Sequence, residues 1–260
     1  MLRNTPFLAF AVAVATVVFA LSPFLTREFA GYRPEQFPVV LDFRPVQPAG
    51  WAFSIWGLIY IWLIAGSLWG WLNAPRDCYW QNMRVPLLMS LGLGIFWIAT
   101  ANSAPILATI MILAMAVLAI VAMLRAGDDD RVWQVRPVAL YAGWLTAATG
   151  VSTGVVLSGY GVLTAQTAAL CMLAATLLVA MTIQSRRPAE WAYPAAIIWA
   201  LSGVIAANLP DGNWPVVALS AVGIAALAVS FVFQRRTGQS CRTSHGHSSG
   251  TCPATNRSDV

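Results

Sequence analysis

The sequence predicts an all-α fold: a polytopic membrane helix bundle of about eight transmembrane helices. Three observations carry this. Only 10% of the 260 residues are charged and 58% are apolar, with a mean hydropathy of +0.69, whereas a soluble domain carries about 25% charged residues. The apolar residues fall in continuous runs, which suit helices and not the alternating strands of a barrel. The basic residues, all arginine, divide unevenly between alternate connections once eight spans are drawn.

Breaks in hydropathy place the spans at about 6–22, 50–72, 86–101, 105–124, 137–158, 161–183, 191–208 and 214–233. The first follows Arg3 and reads as an uncleaved helix, because Ala20-Leu21-Ser22-Pro23 makes a poor signal-peptidase site. The connection over 23–49 is the longest. It is rich in proline and arginine, and reads equally as a cap over a site or as a linker. Pro48 and Gly50 open the second span. Asn102-Ser103-Ala104-Pro105 separates the third from the fourth, and Ser158-Gly159-Tyr160-Gly161 the fifth from the sixth, both of turn-forming composition. This count leaves Arg27, Arg33 and Arg44 on one side and the other arginines on the opposite side. The positive-inside rule then makes the chain a multi-pass protein of the cytoplasmic membrane with both termini cytoplasmic. The net charge of +5 thus reports topology, and no nucleic-acid partner is expected. The polar segment 234–260 reads as a disordered cytoplasmic tail.

No predicted span contains Asp, Glu, Arg, Lys or His. That argues against ion-coupled transport, proton pumping and intramembrane hydrolysis, which need ionisable or metal-binding groups within the membrane. No catalytic residue and no metal ligand is assigned. Asp128-Asp129-Asp130 reads as a solvated turn in preference to a metal loop. The set Cys241, His245, His247 and Cys252 has zinc-type ligands at a spacing that matches no common site. Four cysteines do not form a disulfide framework, and Cys78 is expected to lie on a reducing side. Gly66/Gly70 and Gly150/Gly154 are GxxxG pairs, read as helix packing within the chain, with a homodimer seam as the alternative.

The second span is the most organised. It holds five of the chain's twelve tryptophans, one of them, Trp62, mid-span, although membrane helices usually confine tryptophan to the interfaces. At ~100° per residue, Phe53, Trp56, Tyr60 and Trp71 share one face and Trp51, Trp62 and Trp69 the opposite one. Phe53, Trp56 and Tyr60 of the first stripe suit the wall of a cavity for a flat apolar ligand, with aromatic packing against neighbours and interface anchoring of Trp51, Trp69 and Trp71 as the alternative.

The run Pro48-Ala49-Gly50-Trp51-Ala52-Phe53-Ser54-Ile55-Trp56-Gly57-Leu58-Ile59-Tyr60 resembles the second-helix signature of the tryptophan-rich sensory protein family, the TspO/MBR or translocator-protein relatives, and especially its longer branch. Pro137, Tyr141, Ala142, Gly143, Trp144 and the residues up to Thr149 resemble that branch's fifth helix. The resemblance implies a TspO-like five-helix core over 1–158, with 159–233 as an additional three-helix membrane segment. It further implies a ligand cavity beneath the first loop, often in a dimer, for porphyrins and other tetrapyrroles, sterols or drug-like molecules. Carried over by position, the ligand-binding candidates are Trp51, Phe53, Trp56, Tyr60, Trp97, Tyr141 and Trp144. The short family form has one more residue than the Trp51–Trp56 interval, and its polar Asn, Asp and Asn stand here as Gly94, Thr109 and Ser152. The spans lack histidine, which argues against axial ligation of a haem; a tetrapyrrole would be held by stacking and burial. The expected function is sensing or binding of an apolar or amphipathic planar ligand. The alternative is a transporter of such compounds, and an enzyme is disfavoured.

Overall fold

The computed structural model describes residues 6–26, 31–41 and 43–242, with side chains described up to 233. The expected tail from 234 onward therefore lies outside the described side chains. Eight α-helices follow one another: α1 Pro6–Leu21, α2 Ile55–Asn73, α3 Cys78–Ala101, α4 Pro105–Arg125, α5 Arg136–Gly159, α6 Ala165–Arg186, α7 Ala192–Asn208 and α8 Trp214–Arg242. A 3-10 segment, Gly50–Ser54, leads into α2, and a π-helical turn, Arg131–Val135, leads into α5. Among the described residues seven helices are long and apolar enough to cross a membrane, and α7 is a shorter apolar helix of 17 residues. The chain is a multi-pass membrane protein.

The helix ends follow local chemistry. Asp77 accepts the Trp80 amide at 3.0 Å and starts α3, and Thr164 accepts the Thr167 amide at 3.2 Å and starts α6. Gly161, at φ +71° just past α5, supplies the left-handed turn that the Ser158–Gly161 composition implied. α5 is the most buried of the long spans and packs against α2, α4, α6 and α7. Apolar side chains such as Phe7, Ile61, Leu72, Phe96 and Leu178 remain exposed around the bundle, as lipid-facing positions should.

Within a bilayer, helices gain little from the hydrophobic effect and associate by close packing and hydrogen bonds, each typically worth about 0.6 kcal/mol. Here Trp97 Nε1 donates to Ala108 O at 2.9 Å, and Ser90 Oγ to Met115 O at 2.9 Å, both joining α3 to α4. Both GxxxG pairs are filled from within the chain. Gly66 abuts the Trp133 backbone, Gly70 the Trp80 ring, Gly150 the Thr176 hydroxyl and Gly154 the Val46 side chain.

The two aromatic stripes of the second span serve different neighbours. On the outer stripe, Trp51 meets Trp199 of α7 (ring centroids 5.0 Å apart), Trp62 meets Trp191 (6.2 Å) and Trp69 meets Trp133 (5.7 Å). This face of α2 is therefore joined ring to ring with the start and middle of α7 and with the turn before α5. Asp130 accepts from Trp69 Nε1 at 2.8 Å, and Asp128 pairs with Arg131 and Arg187, so the acidic loop braces that end of the bundle.

Two expectations are corrected. Pro86 does not begin the third span. It sits inside α3, which starts eight residues earlier under the Asp77 cap, and so Arg84 lies within a membrane-spanning helix at 2% exposure. Its guanidinium donates to Gly70 O (2.7 Å), Ala74 O (3.0 Å) and Pro75 O (3.1 Å) at the end of α2; Gly70 O also accepts the Ala74 amide and Pro75 O also accepts Gln81 Nε2. A proline deep in a helix is tolerated because neighbouring helices re-satisfy the freed backbone. Arg136 likewise falls on the first turn of α5. Cys78, secondly, is disulfide-bonded, against the expectation of a reduced thiol, whereas Cys171 is free.

Replacing Arg84 by Met preserves bulk but removes one donor from each of those carbonyls; Gly70 O keeps the Ala74 amide and Pro75 O keeps Gln81 Nε2, so Ala74 O bears most of the loss. An unsatisfied buried polar group costs about 1–3 kcal/mol. Arg84→Met should lower the melting temperature in detergent, with Arg84→Lys restoring only part of it. An unchanged melting temperature would show that solvent serves those carbonyls instead.

Candidate ligand cavity

Between the ends of α2, α3, α4, α5 and α7, beneath the 31–48 loop, lies a small, almost wholly apolar cavity of about 40 Å³. The loop supplies Gly31, Tyr32, Gln47 and Pro48 as its roof. Phe53 comes from the lead-in to α2, Trp97 from α3, Ile112 from α4 and Ala200 from α7. α5 contributes Trp144, Ala147, Ala148, Val151 and Ser152, which recur at the three- and four-residue spacing of one helix face. That volume is far below the ~300–1,000 Å³ typical of occupied small-molecule pockets, so in this conformation the chamber is nearly filled by its own side chains and a ligand requires the roof or floor to move.

The roof is tied down from two directions. Tyr32 Oη lies 2.9 Å from Ser152 Oγ, which lies 2.6 Å from Thr109 Oγ1, and Thr109 donates to Pro105 O at 2.8 Å. The proton direction follows from that last bond: Tyr32 donates to Ser152, and Ser152 to Thr109. Two of the positions that depart from the short family form thus make a hydroxyl chain holding the loop to α4 and α5. From the other direction, α7 receives the segment 45–52. Trp199 Nε1 donates to Ala52 O (2.8 Å), Asn208 Nδ2 donates to Pro45 O (2.8 Å), and Ala49 N donates to Gly203 O (3.0 Å). Gly203 is needed for this approach, since a Cβ there would stand 2.7 Å from Ala52 Cβ and 2.9 Å from Pro48 Cβ.

The seven candidate residues divide by place. Phe53, Trp97 and Trp144 line the cavity. Trp56 and Tyr60, stacked at 5.3 Å and 20°, lie deeper with Tyr141, packed edge-on around Phe19. Trp51 is 48% exposed and faces Trp199 on the outside of α2. Trp144 has a further property: its Nε1–H is buried with no acceptor, a costly state for an indole beside a cavity.

Sequence reasoning missed Tyr32, Ile112, Ala200 and the small residues of α5. The α5 stripe was readable as a continuation of the Trp144 face at helical spacing. Tyr32 and Ala200 carry no such signal, because the fold alone brings them over the site.

Outside the roof, Tyr32, Gln47 and Pro48 are shared with a more polar vestibule completed by Pro34, Leu41, Phe43, Arg44 and Ala207. Arg44 is 6% exposed, donates to Tyr32 O at 2.9 Å and lies over the Phe37 ring at 4.6 Å. Burial lowers its pKa from the ordinary guanidinium value, and Glu35 acts the other way. Among the described residues no group of three His, Cys, Asp or Glu side chains is gathered to hold a metal ion.

Fold and cavity together define a polytopic helical membrane protein with a loop-roofed aromatic chamber. A family model for TSPO-like proteins matches residues 7–233, and the chain belongs to that family. The match runs through all eight helices. No curated protein and no solved structure matches the chain.

Tyr32→Phe keeps the ring and removes one roof bond, worth about 1 kcal/mol. If the roof opens locally, backbone amides of residues 31–41 should exchange hydrogen about fivefold faster in the variant. Equal rates would show that the hydroxyl chain does not hold the loop.

Proposed function

We propose that this TSPO-like protein is a membrane sensory or binding protein for an apolar or amphipathic planar ligand of the tetrapyrrole or sterol-like class. In this reading it sits in the cytoplasmic membrane with both termini inside. The observation that carries the proposal is the enclosed chamber of Phe53, Trp97 and Trp144 in which an indole N–H lacks an acceptor. A ligand that stacks between the rings and offers one acceptor to Trp144 would relieve that deficit, so orientation as well as burial would be selected. The present cavity of about 40 Å³ is the closed form, and any member of the class requires the roof or floor to move, a full macrocycle most of all.

Saturable quenching of tryptophan fluorescence by acridine, a sterol probe and protoporphyrin tests this on purified protein. Trp144→Phe keeps the aromatic wall and loses the donor, so acridine affinity should fall about tenfold, the value of one well-made hydrogen bond to a buried group. Phe53→Ala with Trp144→Ala should abolish saturation. Quenching that is the same in all three proteins would sink the assignment.

The vestibule favours a second reading, release of ligand through the roof and hence transport. Uptake of labelled ligand into proteoliposomes that exceeds protein-free controls, and is slowed by Gly203→Val, would support transport over binding alone.

A further inference from the structure

The open chamber ends on an aromatic floor, and the floor has the form of a second chamber with a ring already in it. Four of the five helices bordering the cavity carry a residue three positions deeper that reaches the same place. Phe53 of the lead-in is followed by Trp56, Trp97 is preceded by Gly94, Ile112 is followed by Met115, and Trp144 is preceded by Tyr141. Three residues are nearly one helical turn, and α2 and α4 run opposite to α3 and α5, so all four steps go the same way. At the centre of this lower layer sits Phe19, 3% exposed near the end of α1. Its ring meets Trp56 at 5.9 Å, Tyr60 at 5.3 Å and Tyr141 at 5.8 Å, all edge-on. Gly94 makes the place available: a Cβ there would stand 2.5 Å from Phe19 Cε2 and 3.1 Å from Met115 Cε. Beneath, Tyr141 Oη lies 3.0 Å from Ser90 Oγ, which donates to Met115 O, closing the layer with a satisfied polar base.

We propose that Phe19 is a plug in the lower half of one continuous aromatic slot, and that it sets the length of planar ligand the protein accepts. The inference rests on the cavity reading above and deepens it. With Phe19 in place, a ligand reaches only Phe53, Trp97 and Trp144. With Phe19 displaced, the slot extends to Trp56, Tyr60 and Tyr141, and the space vacated is that of one flat ring with aromatic walls. The ligand class is then a linearly fused aromatic whose acceptor lies at the Trp144 end and whose far end is purely hydrocarbon.

The test is a ring-number series of linearly fused aromatics with one acceptor nitrogen in the terminal ring, namely quinoline, benzo[g]quinoline and naphtho[2,3-g]quinoline, measured by saturable fluorescence quenching on the full chain. Wild type should prefer the shorter members. Phe19→Ala should bind naphtho[2,3-g]quinoline about tenfold more tightly than wild type while quinoline changes by less than about threefold. Phe19→Leu, the gentler change, should show the same direction with a smaller gain and guards against misfolding of the alanine variant. Adding Trp56→Ala to Phe19→Leu or Phe19→Ala should remove the gain, because the longer ligand would then lose its lower wall. If quinoline still binds and neither Phe19 variant shifts the ring preference, the plug is refuted while the cavity stands. If neither wild type nor variant binds any member, both readings fall.

Discussion

A stretch of chain that is buried yet not helical must find partners for its backbone N–H and C=O groups, and this constraint organises the molecule. Residues 45–52 turn inward between α5 and α7, with Val46 and Ala52 fully enclosed. Local turns serve only part of the segment, as in Gln47 N to Arg44 O and Ala52 N to Ala49 O, and the remaining buried groups need partners from elsewhere. α7 supplies an indole, an amide side chain and one of its own carbonyls. The direction of Phe53 into the cavity, the position of the roof and the placement of Ala200 in the wall all depend on that docking. The shortness of α7 fits the role, since much of its surface faces protein and it need not match the bilayer thickness by itself.

The chamber follows from a redistribution of polar groups. At Gly94 no side chain is present and the Phe19 ring fills the space, whereas Thr109 and Ser152 spend their hydroxyls on one another, on Tyr32 and on a backbone carbonyl. What remains facing the void is aromatic and aliphatic, with the Trp144 N–H as the one lining donor noted above without a partner. Such a chamber selects by shape and by a single directional bond, and charge plays its part only outside, at Arg44 in the vestibule.

Most of the fold was legible because membrane helices announce themselves by uninterrupted apolar runs and by their turns. The breaks at Asn102–Pro105 and Ser158–Gly161 sit where the structure bends. Pro86 misled because a proline usually marks a helix start, and the cap that settles the matter, Asp77, lies in a polar stretch that hydropathy discards. Arg84 was lost with it. The two faces of α2 were visible as periodicity, but periodicity does not say which stripe looks inward. That depends on α7, whose partners lie some 150 residues away in sequence, as in the bond from Trp199 to Ala52. Tyr32 and Phe19 were hidden for the same reason: neither is unusual where it stands, and each matters only through neighbours from other helices.

The docking of α7 also has a consequence for the order of assembly. A growing chain that has completed α5 already holds Phe53, Trp97 and Trp144, but Ala52 O, Pro45 O and the Ala49 amide still await Trp199, Asn208 and Gly203. Until residue 208 is made, the segment that roofs the chamber has no complete set of partners. The ligand pocket is then among the last features to close, although its walls are among the first to be synthesised. Biogenesis passes through a state in which the aromatic interior is present and uncovered, and the last helices act on it as an internal chaperone would, shielding what the earlier part of the chain cannot shield alone.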